Sequence, residues 1–128
     1  MTSIREQIAD KIRADAQAAG ILLDVYPFGY DPEELRRPAV AVFRETVAQE
    51  PASLEHGFII QVFGVQGVAT QKTEDALDTL LDAVLVSLRR LDVVAFKEAK
   101  RQVLGDQFQG WEITVTWSSV DYIKQNAY

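Results

Sequence analysis

Cysteine is absent from the 128 residues, so no disulfide, thiolate metal site or cysteine nucleophile is available. That absence fits a reducing compartment. Histidine occurs once, at His56, so a Ser-His-Asp triad must use that residue and a histidine-based zinc site lacks partners. No long apolar run opens the chain: Met1 to Ala19 carries Arg5, Glu6, Asp10, Lys11, Arg13 and Asp15, which predicts neither a signal peptide nor a membrane span. Positive charge is in deficit, with 13 Lys and Arg against 19 Asp and Glu and a formal net charge of −6. Such a balance argues against general affinity for phosphate or anionic lipid, because both need a positive field. Internal repeats and low-complexity tracts are also missing.

What is present reads as one globular domain over residues 1–128, with the segment 123–128 a frayed polar tail. Hydrophobic residues make up 48% and charged residues 25%, ordinary values that argue against disorder. A chain of this size buries roughly two thirds of its unfolded surface and forms a core without staples.

Ser3 followed by Glu6 is a capping-box pattern, Ile4, Ile8 and Ile12 form a narrow apolar stripe, and Gly20 stands where a helix C-cap glycine is expected. Ile21 to Tyr26 reads as a strand, and a turn-rich loop follows to Pro38. Ala39 to Phe43 is apolar, as a central strand is. Arg44 to Glu55 is polar and reads as a long hairpin-type connection, with Phe58 to Phe63 the next strand. A helix capped by Thr70 or Thr73 runs to about Leu91. Leu77, Leu80, Leu81, Val84, Leu85 and Leu88 share one face, and Asp75, Asp78 and Asp82 the other. Val94 to Val103 alternates weakly. Trp111, Ile113, Val115 and Trp117 alternate cleanly with Glu112, Thr114 and Thr116. A hairpin at Gly105-Asp106 joins these last two strands. Together these elements predict an α+β fold, a mostly antiparallel sheet of four to five strands with two helices on one face. The first three strands, joined by short links, are expected to pair antiparallel.

Candidate chemistry is thin. His56 lies at a strand edge without a nucleophile motif such as G-x-S-x-G, and a surface or edge histidine is the simpler reading. Asp75, Asp78 and Asp82 point one way from a helix and cannot wrap an ion, so they read as a solvated face. Gly64-Val65-Gln66-Gly67 follows a strand and carries no basic residue, so it reads as a turn and not as a nucleic-acid clamp or a phosphate loop. Lys97, Lys100 and Arg101 sit beside Phe96, but Glu98 blunts the cluster, and a charged strand edge explains them as well as a nucleic-acid patch. Trp111 and Trp117 read as core or as interface anchors. Tyr26, Phe28 and Tyr30 are costly to expose, so they either fold back on the domain or meet a partner. No cofactor or metal is expected, and no enzymatic activity.

The order of these features resembles the tail terminator, or tail completion, proteins of long-tailed phages. The resemblance runs from about residue 3 to 123. An N-terminal helix precedes Leu22-Leu23-Asp24-Val25-Tyr26, a proline-bearing loop leads to Pro38-Ala39-Val40-Ala41-Val42, and a strand from His56 to Gly64 follows. The helix Glu74 to Leu91 carries the Ala76-Leu-Asp-Thr-Leu-Leu-Asp-Ala-Val84 stretch, and Phe108-Gln109-Gly110-Trp111 through Val115 is similar to the family's last strand. The resemblance implies a six-membered ring of identical subunits on the end of the tail tube. Such a ring stops tube growth and offers the surface that joins tail to head. Its implied partners are other copies of itself, the tail tube protein and a head–tail connector protein, with DNA passing through the lumen without specific binding. The implied location is the head-proximal end of the tail in the virion, and the host cytoplasm during assembly. Glu33, Glu34, Arg36, Arg37, Arg44, Arg89 and Arg90 are then the candidate subunit contacts, since arginine suits ion pairs at interfaces.

Two alternatives remain open. One is a neck or head-closure protein, which shares the size and the acidic balance. The other is an α+β regulatory module with a small-molecule pocket under the Trp111 face.

Overall fold

The computed structural model describes residues 3–30, 35, 37–50, 53–64, 71–91, 94–104 and 108–120. Helix α1 spans Ile4–Ala18 and starts where the capping pattern sets it, with the Ser3 hydroxyl accepting from the Glu6 amide at 3.1 Å. Its end is a Schellman motif. Gly20 takes φ +72, its amide donates to the Gln17 carbonyl at 3.1 Å, and the Ile21 amide donates to the Ala16 carbonyl at 2.9 Å. Ile21 is thereby spent on ending the helix. Strand β1 is accordingly shorter than the expected Ile21 to Tyr26 and covers only Asp24–Tyr26.

Strand β2 spans Ala39–Glu50 and β3 spans Ser53–Phe63. The expected polar connection over Arg44 to Glu55 is thus paired β-structure from Arg44 to Glu50 and from Ser53 to Glu55. Helix α2 spans Gln71–Arg89, β4 spans Val94–Leu104 and β5 spans Phe108–Val120. Thr73 lies inside α2 and does not cap it, while Thr70 falls outside the described residues, as do the Gly105-Asp106 turn and the tail 123–128.

The five strands form one sheet in the order β1-β2-β3-β5-β4. Every neighbouring pair is antiparallel except β1 and β2, which run parallel with Asp24 opposite Ala39. The expected antiparallel start is therefore wrong at its first pair. Residues 27–38 are long enough to return the chain to the end from which β1 began, which is what a parallel pair requires. The Asp24 amide donates to the Pro38 carbonyl at 3.1 Å and closes that return. Strands β3 and β4 run parallel with β5 inserted between them, and α2 is their crossover.

Both helices pack on one face. Ile8, Ala9 and Ile12 of α1 and Leu80, Leu81, Val84 and Leu88 of α2 share a buried cluster with Val40, Val42, Phe58, Ile60, Val62, Ile113 and Val115. Trp111 and Trp117 are half-buried at the margin of that cluster, so their core role is the one the structure bears out. A second, smaller core lies on the opposite face, where Leu35, Ala39, Ala41, Phe63, Leu104 and Phe108 are buried with Tyr26 and Tyr30 against them. Tyr26 stacks on Tyr30 at 4.1 Å between ring centroids, and Tyr30 meets Phe63 edge-on at 6.5 Å. The aromatic loop therefore folds back on the domain, although Phe28 stays half exposed.

Candidate subunit interface

The described residues among the charged candidates fall into three places. Arg37 and Arg90 flank α1. The Arg37 Nε lies 3.6 Å from Asp24 Oδ2, and Arg90 NH1 lies 3.4 Å from Asp15 Oδ1, where Lys11 Nζ also approaches at 3.2 Å. Burial pushes the Asp15 carboxyl up, but the Ser87 hydroxyl, Lys11 and Arg90 outweigh it and hold the carboxyl below its usual value. Between α1 and α2 runs a groove of about 240 Å³, walled by Ile12, Ala16, Leu23, Leu80 and Val84 and rimmed by Arg90.

Arg89 and Arg44 lie elsewhere. Arg89 borders a hollow with Leu85, Leu88, Val94 and Phe96 beside β4. Arg44 is exposed on β2 opposite Phe58. Glu33, Glu34 and Arg36 lie outside the described residues. Among the described residues, the candidates Arg37, Arg44, Arg89 and Arg90 do not form one patch.

His56 is buried at 6% exposure, which corrects the surface reading. The strand continues on both sides of it, so it stands in a crosswise row between Val47 and Trp117, on the helix-covered face near the Phe58 ring. Burial and then the positive charge of Arg44 hold its pKa below the usual imidazole value. The basic cluster on β4 is divided by the strand's alternation and by ion pairing. Lys97 lies 3.9 Å from Glu55 and Lys100 lies 3.6 Å from Glu98. Arg101 turns toward α2 and holds Glu74 with both ends of its fork, NH1 to Oε2 at 2.5 Å and NH2 to Oε1 at 2.6 Å. The Arg101 hydrogen bonds lower the Glu74 carboxyl below its usual value, and the same pairing raises the guanidinium.

Sequence reasoning missed the sheet's unpaired margins. Strand β1 pairs only with Ala39, Val40 and Ala41, so among the described residues the outer edge of β2 from Val42 to Glu50 has no neighbour. The whole outer edge of β4 is free in the same sense. At one end, β2, β3 and β5 run three residues past the row of Val47, His56 and Trp117, and among those whose side chains are described, Ala48, Ser53, Leu54, Glu55 and Ser118, none belongs to either core. Alternation of exposed Val47, Phe96 and Val103 on polar strands was the available signal. Two bulges hid it.

Among the described residues no group of three or more His, Cys, Asp or Glu side chains is placed to share a metal. No described helix is long and apolar enough to cross a membrane. No protein-family model matches the chain, and no curated protein matches it.

Proposed function

We propose that the chain is a ring-forming tail terminator of a long-tailed phage, which caps the tail tube, stops its growth and presents the surface that joins tail to head. The element order α1, β1, β2, β3, α2, β4, β5 fits the order on which the resemblance rests. The observation that carries the reading is the outer part of β2, where Arg44, Glu45, Thr46, Val47 and Ala48 are all exposed, leading into the three-stranded end of the sheet. A strand margin whose side chains stay in solvent is suited to contact a neighbouring subunit or the tube. The energy for capping then comes from burying complementary surfaces between copies, in a head-to-tail arrangement whose rotation closes. The net charge of −6 suits a lumen through which DNA must slide, because a wall that bound phosphates would retard it.

Deleting the gene in its phage and imaging the particles tests this. Overlong tubes without heads are the expected result, restored to normal length by the gene supplied in trans. Head-bearing virions with tails of normal length in the deletion strain would remove the reading.

The groove between α1 and α2 favours one other reading, a small-molecule module. It lies between the helices and not under the Trp111 face, which α2 covers. Its volume of about 240 Å³ is below the range of roughly 300–1,000 Å³ usual for ligand pockets. A metabolite that raises the melting temperature of the wild-type chain, but not of a Val86→Trp variant that crowds the groove from its exposed wall, would favour that module.

A further inference from the structure

We infer that copies of this chain join by adding the free edge of β2, Val42 to Glu50, to the free edge of β4, Val94 to Leu104, of the next copy. The inference deepens the ring reading above by naming the segments that meet. Its first support is strand direction. Four long strands alternate across the sheet, β2, β3, β5 and β4, so the two free edges run in opposite directions. A second copy placed beside the first with its strands pointing the same way therefore continues the antiparallel ladder without a break. An isologous pairing of β4 with β4 or of β2 with β2 leaves the other edge of each copy open. Pairing β2 with β4 is head-to-tail and closes when the rotation is right.

The second support is where the apolar exposure lies. Val47 at 48%, Phe96 at 47% and Val103 at 54% are large apolar side chains in solvent, and all three stand on these two edge strands. Register puts them on one face. Val47 shares a crosswise row with His56, Trp117 and Val94, and Phe96 lies two rows away, on the same face, with Val115, Phe58 and Arg44. Any even register between copies keeps Val47 of one on the same, helix-covered face as Val94 and Phe96 of the other, and a shift of zero or two rows sets it against one of them. An odd register sends them to opposite faces and is disfavoured.

The third support is the pair of bulges. Glu45 is the extra residue in β2 and Lys97 the extra residue in β4, and the two lie on either side of one row, that of Arg44, Phe58, Val115 and Phe96. They carry opposite charge. Bulges and lysines on an edge discourage pairing with an arbitrary strand. A partner edge that brings a residue of opposite charge close to the bulge offsets that penalty, which makes the edges selective for each other.

The absence of cysteine gives a clean test. Within one chain Val47 and Phe96 are separated by three strand spacings, roughly 14 Å. A shorter bis-maleimide, applied to the purified full-length chain at high concentration, then links them only between copies. Val47→Cys and Phe96→Cys single variants mixed together are expected to give a covalent dimer, each alone is expected to stay monomeric, and the double variant is expected to give a ladder of oligomers. Both positions are exposed, so circular dichroism melts matching wild type are expected and show that the fold is kept. With the fold kept, no link in the mixture overturns the proposal. So does self-linking of either single variant as efficient as the mixed reaction. The result is separable from the phage role: edge pairing with a dispensable gene removes only the terminator reading, and loss of linking with normal tail capping removes only edge pairing.

Discussion

His56 shows how a single side chain couples pH to the fold. It is buried between Val47 and Trp117, and both burial and Arg44 depress its pKa below 6.5 in the folded chain. The unfolded chain takes up a proton as pH falls through about 6.5. The folded chain resists protonation until a lower pH, so between the two values the unfolded state binds more protons. Stability contributed by the neutral imidazole is therefore complete above pH 6.5 and lost progressively below it, down to the depressed folded value. The urea midpoint is expected to drop between pH 7.5 and pH 5.5, and the drop is expected to shrink in a His56→Gln variant. An equal drop in both proteins would mean that His56 is not the group responsible. Asp15 and Glu74 do not act in that window, because their lowered values make them lose stabilisation only below about pH 4.5.

Helix α2 makes a contrast that the sequence already contained. Leu88 is buried at 2% exposure in the main core, and Val86, two residues earlier, stands 47% exposed. Leu88→Ala is expected to cost about 2–5 kcal/mol, through lost transfer energy and the cavity left behind. Val86→Ala is expected to change stability by less than about 0.5 kcal/mol, as surface changes do. Chemical denaturation of the two variants measures the difference, and comparable losses would mean that α2 is rotated from the orientation described. The face of α2 was legible because its 3.6-residue period is unbroken from Leu77 to Leu88. Strand β5 was legible for the same reason, since Trp111 to Trp117 keeps a strict period of two. The far half of β2 was not, because the bulge at Glu45 shifts the phase midway and makes a strand read as a polar link. The bulge at Lys97 blurs β4 in the same way. The direction of β1 was not legible either: Asp24-Val25-Tyr26 has one burial pattern whether its neighbour runs parallel or antiparallel. The second core depends on Tyr26 and Tyr30 returning to Phe63, a tertiary contact that no local period encodes. Of the candidate interface, sequence reasoning found individual arginines because their chemistry is conspicuous. It missed the strand edges, whose significance comes from what fails to pair with them.

At the scale of the whole molecule, two forces oppose each other when copies meet. Each copy carries a net charge of −6, so like charges repel during approach. Contact through the sheet edges is held by backbone hydrogen bonds and by Val47, Phe96 and Val103, which salt does not screen. Contact through Arg37, Arg89 and Arg90 is held by charge attraction, which salt does screen. Raising ionic strength from 0.01 M to 0.1 M shortens the Debye length from about 30 Å to about 10 Å. If the edges dominate, self-association is expected to strengthen across that range, because repulsion is lost and the apolar and backbone terms remain. If the arginines dominate, association weakens. Sedimentation equilibrium at the two salt concentrations decides between them. A Phe96→Lys variant sharpens the decision, since it removes apolar area from the edge. Its association is expected to be weaker than wild type at both ionic strengths, and an unchanged affinity would move the contact away from β4.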